Sequence, residues 1–332
     1  MKYEATPKKL TGLRYYLRQF GSFFETTFSG ARENLDFGNL FIMNEYAEVP
    51  IGTKILGRLQ HGSVPLSTTK AGYNNNLHTT YVWNLDAESF AINQGWNNYH
   101  AIGAPWIYFL EIQKSMGLHL IQFETSVNRS IDELWIYGNH SNYMDDGFEG
   151  GLGEFLLAAS ESEAAEKVIL LFWYDFVKLS SEIRRQYPQL RIMTLGDRAK
   201  FSTANAHLFQ LHGLLTRSKS VVIDYPSTPF FYALSVGCSV TWLKNSSFAS
   251  GFEEAKLIKN NELVEAMSKD VAQPSECQKL IRDNLGMNHI RTPEEIRLLF
   301  HWNSRGLKLA KAIKLIMVNI FSAPIRYSRR LK

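Results

Sequence analysis

Cysteine is scarce in this chain. The two cysteines among 332 residues are Cys238 and Cys277. Two thiols so far apart form neither a disulfide framework nor the short ligand spacing of a zinc site. We therefore expect a reducing compartment in which both thiols serve as small apolar side chains.

Long apolar runs are also missing. No stretch approaches the roughly 18 uninterrupted apolar residues of a membrane-spanning helix. The N-terminal sequence MKYEATPKKL lacks the apolar run of a signal peptide. The sequence therefore predicts a cytoplasmic protein that is neither exported nor inserted across the bilayer.

Several well-known ligand motifs are lacking. The sequence has no Walker loop, no HExxH zinc motif and no complete GxGxxG fingerprint, and its nearest approach, GFEGGLG at 147–153, follows a polar turn rather than a strand. The net charge of +4 is mild, and the basic residues do not line a groove with interleaved aromatics. We expect no metal, no cofactor and no nucleic-acid partner.

The composition that is present is that of a globular protein with two domains. Hydrophobic residues make up 45% of the chain and charged residues 20%. A chain of 332 residues exceeds one ordinary core. The helix-like segment WIYFLEIQKSMG between Pro105 and Ile131 is the best connector. We predict an N-terminal domain at 1–120, a C-terminal domain at 121–290 and a helical basic tail at 291–332.

The two halves carry different patterns. The first half has short β-like runs at 39–46, 54–60, 79–84 and 99–105, separated by turn-rich segments, which indicates a small α/β unit. In the second half apolar runs alternate with amphipathic helices, which is typical of a parallel, doubly wound sheet. The predicted strands are 131–138, 168–177, 190–196, 220–226 and 239–244, and the predicted helices are 151–167, 179–187, 204–218 and 227–237.

Candidate site residues follow predicted strands, because ligands of open parallel sheets bind outside the carboxyl ends of the strands. Ser227 and Thr228 follow the strand at 220–226 and open a helix that has Pro229 in its first turn. Free backbone N–H groups at a helix start, together with two hydroxyls, can bind a phosphate. An ordinary helix cap without a ligand is the alternative.

Histidines stand at two other strand ends. His61 comes directly after the run 54–60 and before Gly62, and an imidazole that titrates near neutral pH suits a base that deprotonates a hydroxyl. His140 and Ser141 follow the strand at 131–138 and could contact a donor phosphate from the other side of a cleft. Structural hydrogen bonding is the alternative for both histidines.

The C-terminal tail is basic and amphipathic. Lys308, Lys311 and Lys314 recur every three residues among aliphatic side chains, and the last residues are rich in arginine. Such a helix can lie on an anionic membrane surface, here the inner face of the cytoplasmic membrane. The alternative is a terminal helix that packs on the protein's own core.

Three segments resemble glycosyltransferases of the GT-B architecture, in particular bacterial enzymes that build capsule, lipopolysaccharide or teichoic-acid polymers. They are QHG at 60–62, IGAP at 102–105 and VVIDYPSTPFFYALSVG at 221–237. The resemblance implies two Rossmann-like domains and a metal-independent transfer from a nucleotide-sugar donor to a glycan or lipid-linked acceptor. It assigns the base to His61 and donor phosphate contacts to Ser227 and Thr228, assisted by His140 and Ser141.

Other functions remain open on the sequence. Enzymes that transfer glycerol phosphate or ribitol phosphate from a CDP-activated donor share this architecture and attack phosphorus instead of an anomeric carbon. A non-catalytic assembly protein of a polysaccharide complex is the alternative from another class. Nucleotide binding distinguishes this last alternative from both enzymes.

Overall fold

The computed structural model describes residues 32–60, 62, 79–84, 99–116, 129–137, 148–179, 181–198, 200–224, 227–243, 266, 269 and 271–302. These residues form two β-sheets surrounded by helices, which confirms the predicted α/β class. Within these ranges no helix is both long and apolar enough to cross a bilayer. The part of the predicted tail from residue 303 onward lies outside them.

The first half contains a sheet of three very short parallel strands. In chain order its elements are a 3-10 helix at Arg32–Gly38, α1 at Asn39–Tyr46, β1 at Arg58–Leu59, β2 at Thr80–Val82, β3 at Tyr99–Ala101 and α2 at Pro105–Ser115. The strands are ordered β1-β2-β3. Pro105 suits the start of α2, because the first turn of a helix does not need its N–H group.

The helix α1 corrects the prediction of a strand at 39–46. Residues 39–44 are all buried, so the segment has no polar face that would show a helical period. A short apolar run of this kind does not distinguish a buried helix from a buried strand. The left-handed Gly38, with φ of 82°, leads the chain into the helix.

The second half contains a six-stranded sheet. Its elements are β4 at Ile131–Tyr137, α3 at Phe148–Glu161, β5 at Lys167–Leu171, α4 at Trp173–Lys178, α5 at Ser181–Gln186, β6 at Arg191–Met193, α6 at Phe201–Leu215, β7 at Ser218–Ile223, α7 at Thr228–Ser235, β8 at Ser239–Trp242 and β9 at Val271–Ala272. The strand order is β6-β5-β4-β7-β8-β9, and only β9 is antiparallel to its neighbour. The chain therefore adds strands on one side of β4 and then on the other.

Two boundaries in this half differ most from the prediction. The strand predicted to run to residue 177 ends at Leu171, and the apolar residues beyond it form α4. There the backbone N–H groups of Asp175 and Phe176 both donate to the carbonyl of Phe172, which turns the chain away from the sheet. The helix predicted to run to residue 167 ends at Glu161.

Alternate residues of β4 enter different cores, so this strand is buried on both faces. Leu134 and Ile136 belong to a large core that continues into the first half, whereas Trp135 and Tyr137 pack with Phe155 on the opposite face. A strand covered on both sides reads as a continuous apolar run, which explains why the sequence predicts it accurately.

The C-terminal segment returns from the large sheet to the small one. It contains α8 at Gln278–Leu285, a 3-10 turn at Met287–His289 and α9 at Pro293–Leu299, which begins with a capping box at Thr292. The Tyr81 hydroxyl donates to the carbonyl of Leu299 at 3.0 Å, and the Trp302 indole donates to that of Lys54 at 3.0 Å. The first ten or so residues of the predicted tail therefore pack on the first half.

Candidate functional site

The carboxyl ends of β4 and β7 lie side by side where the strand order of the large sheet reverses. Ile136 pairs with Ile223, so the two strands end at the same level. Such a reversal opens a crevice at the sheet edge, which is the usual ligand position in open α/β sheets. The residues after β7 lead to Ser227 and Thr228, whereas His140 and Ser141, after β4, lie outside the described residues.

Ser227 occupies the N-cap position of α7 but does not cap it. Its backbone is extended, with φ of −127° and ψ of 173°, and its side chain makes no capping hydrogen bond. The Oγ atom is buried and has no hydrogen-bond partner in the described structure. Because a buried hydroxyl without a partner costs about 1–3 kcal/mol, this atom is a position at which a bound group could supply the missing partner.

The tip of β1 reaches the same helix start. A methyl group placed on Gly62 would lie 3.1 Å from Oγ1 of Thr228, so the two segments approach each other closely here. His61 itself lies outside the described residues, but its neighbours Gln60 and Gly62 are described. The QHG and Ser-Thr segments, about 170 residues apart in the sequence, therefore meet.

Aromatic side chains fix α7 against the first half. The Trp106 ring stacks on Tyr232 at 4.3 Å between centroids, and the Trp106 indole donates to Ser235 Oγ at 2.9 Å. The ring of Trp83, which follows β2, also faces Tyr232, with 6.5 Å between the ring centroids. These contacts hold α7 in a defined position relative to the first half.

Sequence reasoning missed a second group at this edge of the large sheet. Phe172, Trp173 and Tyr174 after β5 form a hollow with Gly196 and Arg198 after β6. The Arg198 guanidinium lies 4.9 Å from the Phe37 ring centroid and 4.0 Å from the Asp36 carboxylate, both in the 3-10 helix of the first half. The aromatic pair Trp173 and Tyr174 is the signal that the sequence offers for this group, but the predicted strand at 168–177 includes it.

Asp224 is an acidic residue at this edge. It follows β7 directly and is 1% exposed, and its carbonyl accepts the Trp242 indole at 3.0 Å. It lies within the predicted strand at 220–226 and is therefore not among the predicted site residues. Its place beside the strand-order reversal makes it a further candidate for contact with a ligand.

His207, His212, Cys238 and Cys277 are wholly or largely buried side chains. Burial lowers the pKa of His207 to about 4, with help from the nearby Arg198 charge, and burial lowers the pKa of His212 to about 4. Burial also raises the pKa of the Cys238 thiol to about 11 and raises that of Cys277. None of these four groups is suited to acid–base chemistry near neutral pH, and the described residues contain no cluster that could hold a metal.

The opposite edge of the large sheet also contains a cavity, of about 330 Å³. Ser130, Glu166, Arg191 and Arg217 contribute its polar lining, at the amino ends of the strands. It lies away from the strand-order reversal and contains none of the predicted site residues. It is therefore separate from the candidate site at the carboxyl edge.

Comparison with models of known protein families and with curated protein sequences finds no match to this chain.

Proposed function

We propose that the chain is a glycosyltransferase with two facing α/β units in a GT-B-like arrangement, which transfers a sugar from a nucleotide-activated donor without a metal ion. The observation that carries this proposal is the approach of Gly62 to Thr228. Gly62 follows the predicted base His61 in the sequence, and Thr228 follows Ser227 at the start of α7, where the predicted phosphate contacts lie. The sequence resemblance extends the proposal to a bacterial surface glycan or lipid-linked acceptor.

The donor diphosphate would lie at the start of α7. The Ser227 hydroxyl would supply a hydrogen bond that it does not otherwise make. The positive end of the helix dipole would stabilise the negative charge of the diphosphate by about 0.3–1 kcal/mol. Thr228 stands beside it, and His140 and Ser141 belong to the segment that follows the neighbouring strand β4. Charge that develops on the leaving diphosphate would be stabilised by these groups.

The reaction would use His61 as the general base. Its imidazole would accept the proton of the acceptor hydroxyl while that oxygen forms a bond to the anomeric carbon of the donor. The bond between this carbon and the phosphate oxygen breaks, and the nucleoside diphosphate leaves with the electron pair. A positioned base of this kind contributes typically about 10²–10⁴-fold to the rate.

The proposal is tested by nucleotide-induced thermal stabilisation of the full chain. UDP, GDP, CDP, CMP, dTDP and their sugar conjugates are screened, and one family should stabilise the protein by about 2.7 kcal/mol at a hundredfold excess over its dissociation constant. The double variant Ser227→Ala/Thr228→Ala should lose this stabilisation, whereas the control Ser160→Ala, on the exposed end of α3, should retain it.

The outcomes separate the three functions. Stabilisation by CDP-glycerol or CDP-ribitol but by no sugar nucleotide would favour polyol-phosphate transfer. A folded protein that no nucleotide stabilises would contradict both enzymes and favour the non-catalytic assembly protein.

A further inference from the structure

Gln60 forms an unusual end to the pairing between β1 and β2. The Gln60 N–H donates to the Tyr81 carbonyl at 2.8 Å, as in a regular parallel ladder. The next bond of such a ladder would join the Trp83 N–H to the main-chain oxygen of Gln60. Instead, the Trp83 N–H donates to the side-chain Oε1 of Gln60 at 2.9 Å.

The main-chain oxygen of Gln60 consequently has another partner. It accepts the Trp83 indole Nε1–H at 2.8 Å, and the side-chain Nε2 of Gln60 donates to the carbonyl of Gly62 at 2.6 Å. The primary amide thus takes the place of one peptide group in the ladder. The main chain can leave the sheet at Gln60, and Gly62 is fixed where it approaches Thr228.

We propose that Gln60 is a positioning residue, whose side-chain amide sets the distance between the 60–62 tip and the start of α7. The effect of this positioning on catalysis rests on the proposed function, because the predicted base at residue 61 lies in the sequence between Gln60 and Gly62, which this amide links. Without the side-chain amide, the main-chain oxygen of Gln60 can accept a hydrogen bond from the Trp83 N–H. This bond would lengthen β1 by one residue and withdraw the 60–62 tip from the start of α7. A displacement of about 1 Å at a reacting group can cost about 10²-fold in rate.

The test compares Gln60→Met, which keeps the size of the side chain and removes both polar atoms, with Gln113→Met. Gln113 is a matched control, because it is a buried glutamine whose Nε2 has no partner in the described structure. In Gln60→Met we expect a fall in kcat of about 30-fold or more with the donor KM within about threefold, since positioning alone is lost. Gln113→Met should change neither constant by more than about twofold.

Exchange of the Trp83 indole hydrogen, followed by NMR, gives a readout that does not need activity. It should become at least tenfold faster in Gln60→Met, because this N–H loses its carbonyl partner when the main chain rotates. In Gln60→Glu the protection should return on acidification, since a neutral carboxylic acid again offers one donor and one acceptor.

The two readouts separate this inference from the proposed function. Faster indole exchange in Gln60→Met, together with a wild-type protein that transfers no sugar, would support the positioning role and contradict the transferase. Unchanged indole exchange in folded Gln60→Met, or a kcat equal to that of Gln113→Met in an active enzyme, would overturn the positioning role.

Discussion

The two sheets of this protein are held together by different means. In the large sheet, β4 pairs over most of its seven residues with neighbours on both sides and is buried on both faces. In the small sheet, strands of two or three residues depend on side-chain contacts with distant parts of the sequence, such as those of Tyr81 with Leu299 and of Trp302 with Lys54. Backbone pairing and local apolar runs specify the first sheet, whereas long-range side-chain contacts specify the second.

This difference matters for function, because the proposed site needs both sheets. The helix start at Ser227 is fixed by the large sheet, but the tip at Gly62 depends on the small one. Changes that disturb the small sheet should therefore move the tip while the large sheet retains its fold. Three substitutions test this comparison.

Gly286→Ala should have the largest effect. Gly286 has φ of 67°, and a methyl group on it would lie 1.7 Å from the carbonyl oxygen of Trp83, which is main chain and cannot rotate away. The left-handed conformation and the clash together should cost about 4 kcal/mol. Urea denaturation should show this loss, and the contact between the C-terminal segment and β2 should be broken.

The control for this variant is Gly153→Ala, in α3 of the large-sheet half. A methyl group there meets nothing within 4 Å, so the free energy of unfolding should stay equal or rise by up to about 1 kcal/mol. Equal stability of the two variants would contradict the close approach of Gly286 to the small sheet.

Asn34→Leu should have the next largest effect. The Asn34 amide donates to the carbonyl of Gly57 at 3.0 Å, and its oxygen accepts the Leu59 N–H at 2.8 Å. Leucine has similar size but leaves these buried groups without partners, which should cost about 2–3 kcal/mol in urea denaturation. The exposed Asn288 provides the control, because Asn288→Leu should change stability by less than about 0.5 kcal/mol. A loss below 1 kcal/mol for Asn34→Leu would show that this side chain does not hold β1.

The same physical difference explains what the sequence predicted. All five parallel strands of the large sheet were found, because buried strands are continuous apolar runs, and helix α7 was found from the Ser-Thr-Pro segment at its start. The prediction for 39–46 was wrong, since burial on all sides removes the pattern. The strand tip at β1 was found from its QHG segment, but Asn34, Gln60 and the returning C-terminal segment act through contacts that no local pattern shows.

His207→Leu should have the smallest effect, which is a change in how the free energy of unfolding depends on pH in the acid range. The folded pKa of His207, about 4, lies below the ordinary value near 6.5, so the unfolded chain takes up a proton that the folded protein refuses. This part of the stability is nearly complete above pH 7 and is lost as the pH falls towards 4, with a loss on the order of 1 kcal/mol at pH 5.5 relative to pH 8.

The leucine variant should lack this part of the pH dependence. Chemical denaturation of both proteins from pH 8 to pH 5 provides the measurement, and the values at pH 8 serve as the reference for the packing change. Parallel curves for the two proteins would contradict a neutral, buried His207.

Part of the candidate site could also be predicted from sequence. Ser227 and Thr228 follow β7 at the expected edge, and Gly62 meets Thr228. The roles of His61, His140 and Ser141 remain predictions from the sequence. Arg198 and the aromatic residues of α4 were missed because apolar residues that continue a strand and apolar residues that begin a helix look alike in sequence.

A crystal structure with the nucleoside diphosphate that stabilises the protein most is the most direct test of the proposed site. The account predicts a phosphate oxygen within hydrogen-bond distance of Ser227 Oγ, at the start of α7 and beside Gly62. A nucleotide bound instead in the cavity lined by Arg191 and Arg217, with Ser227 untouched, would contradict it.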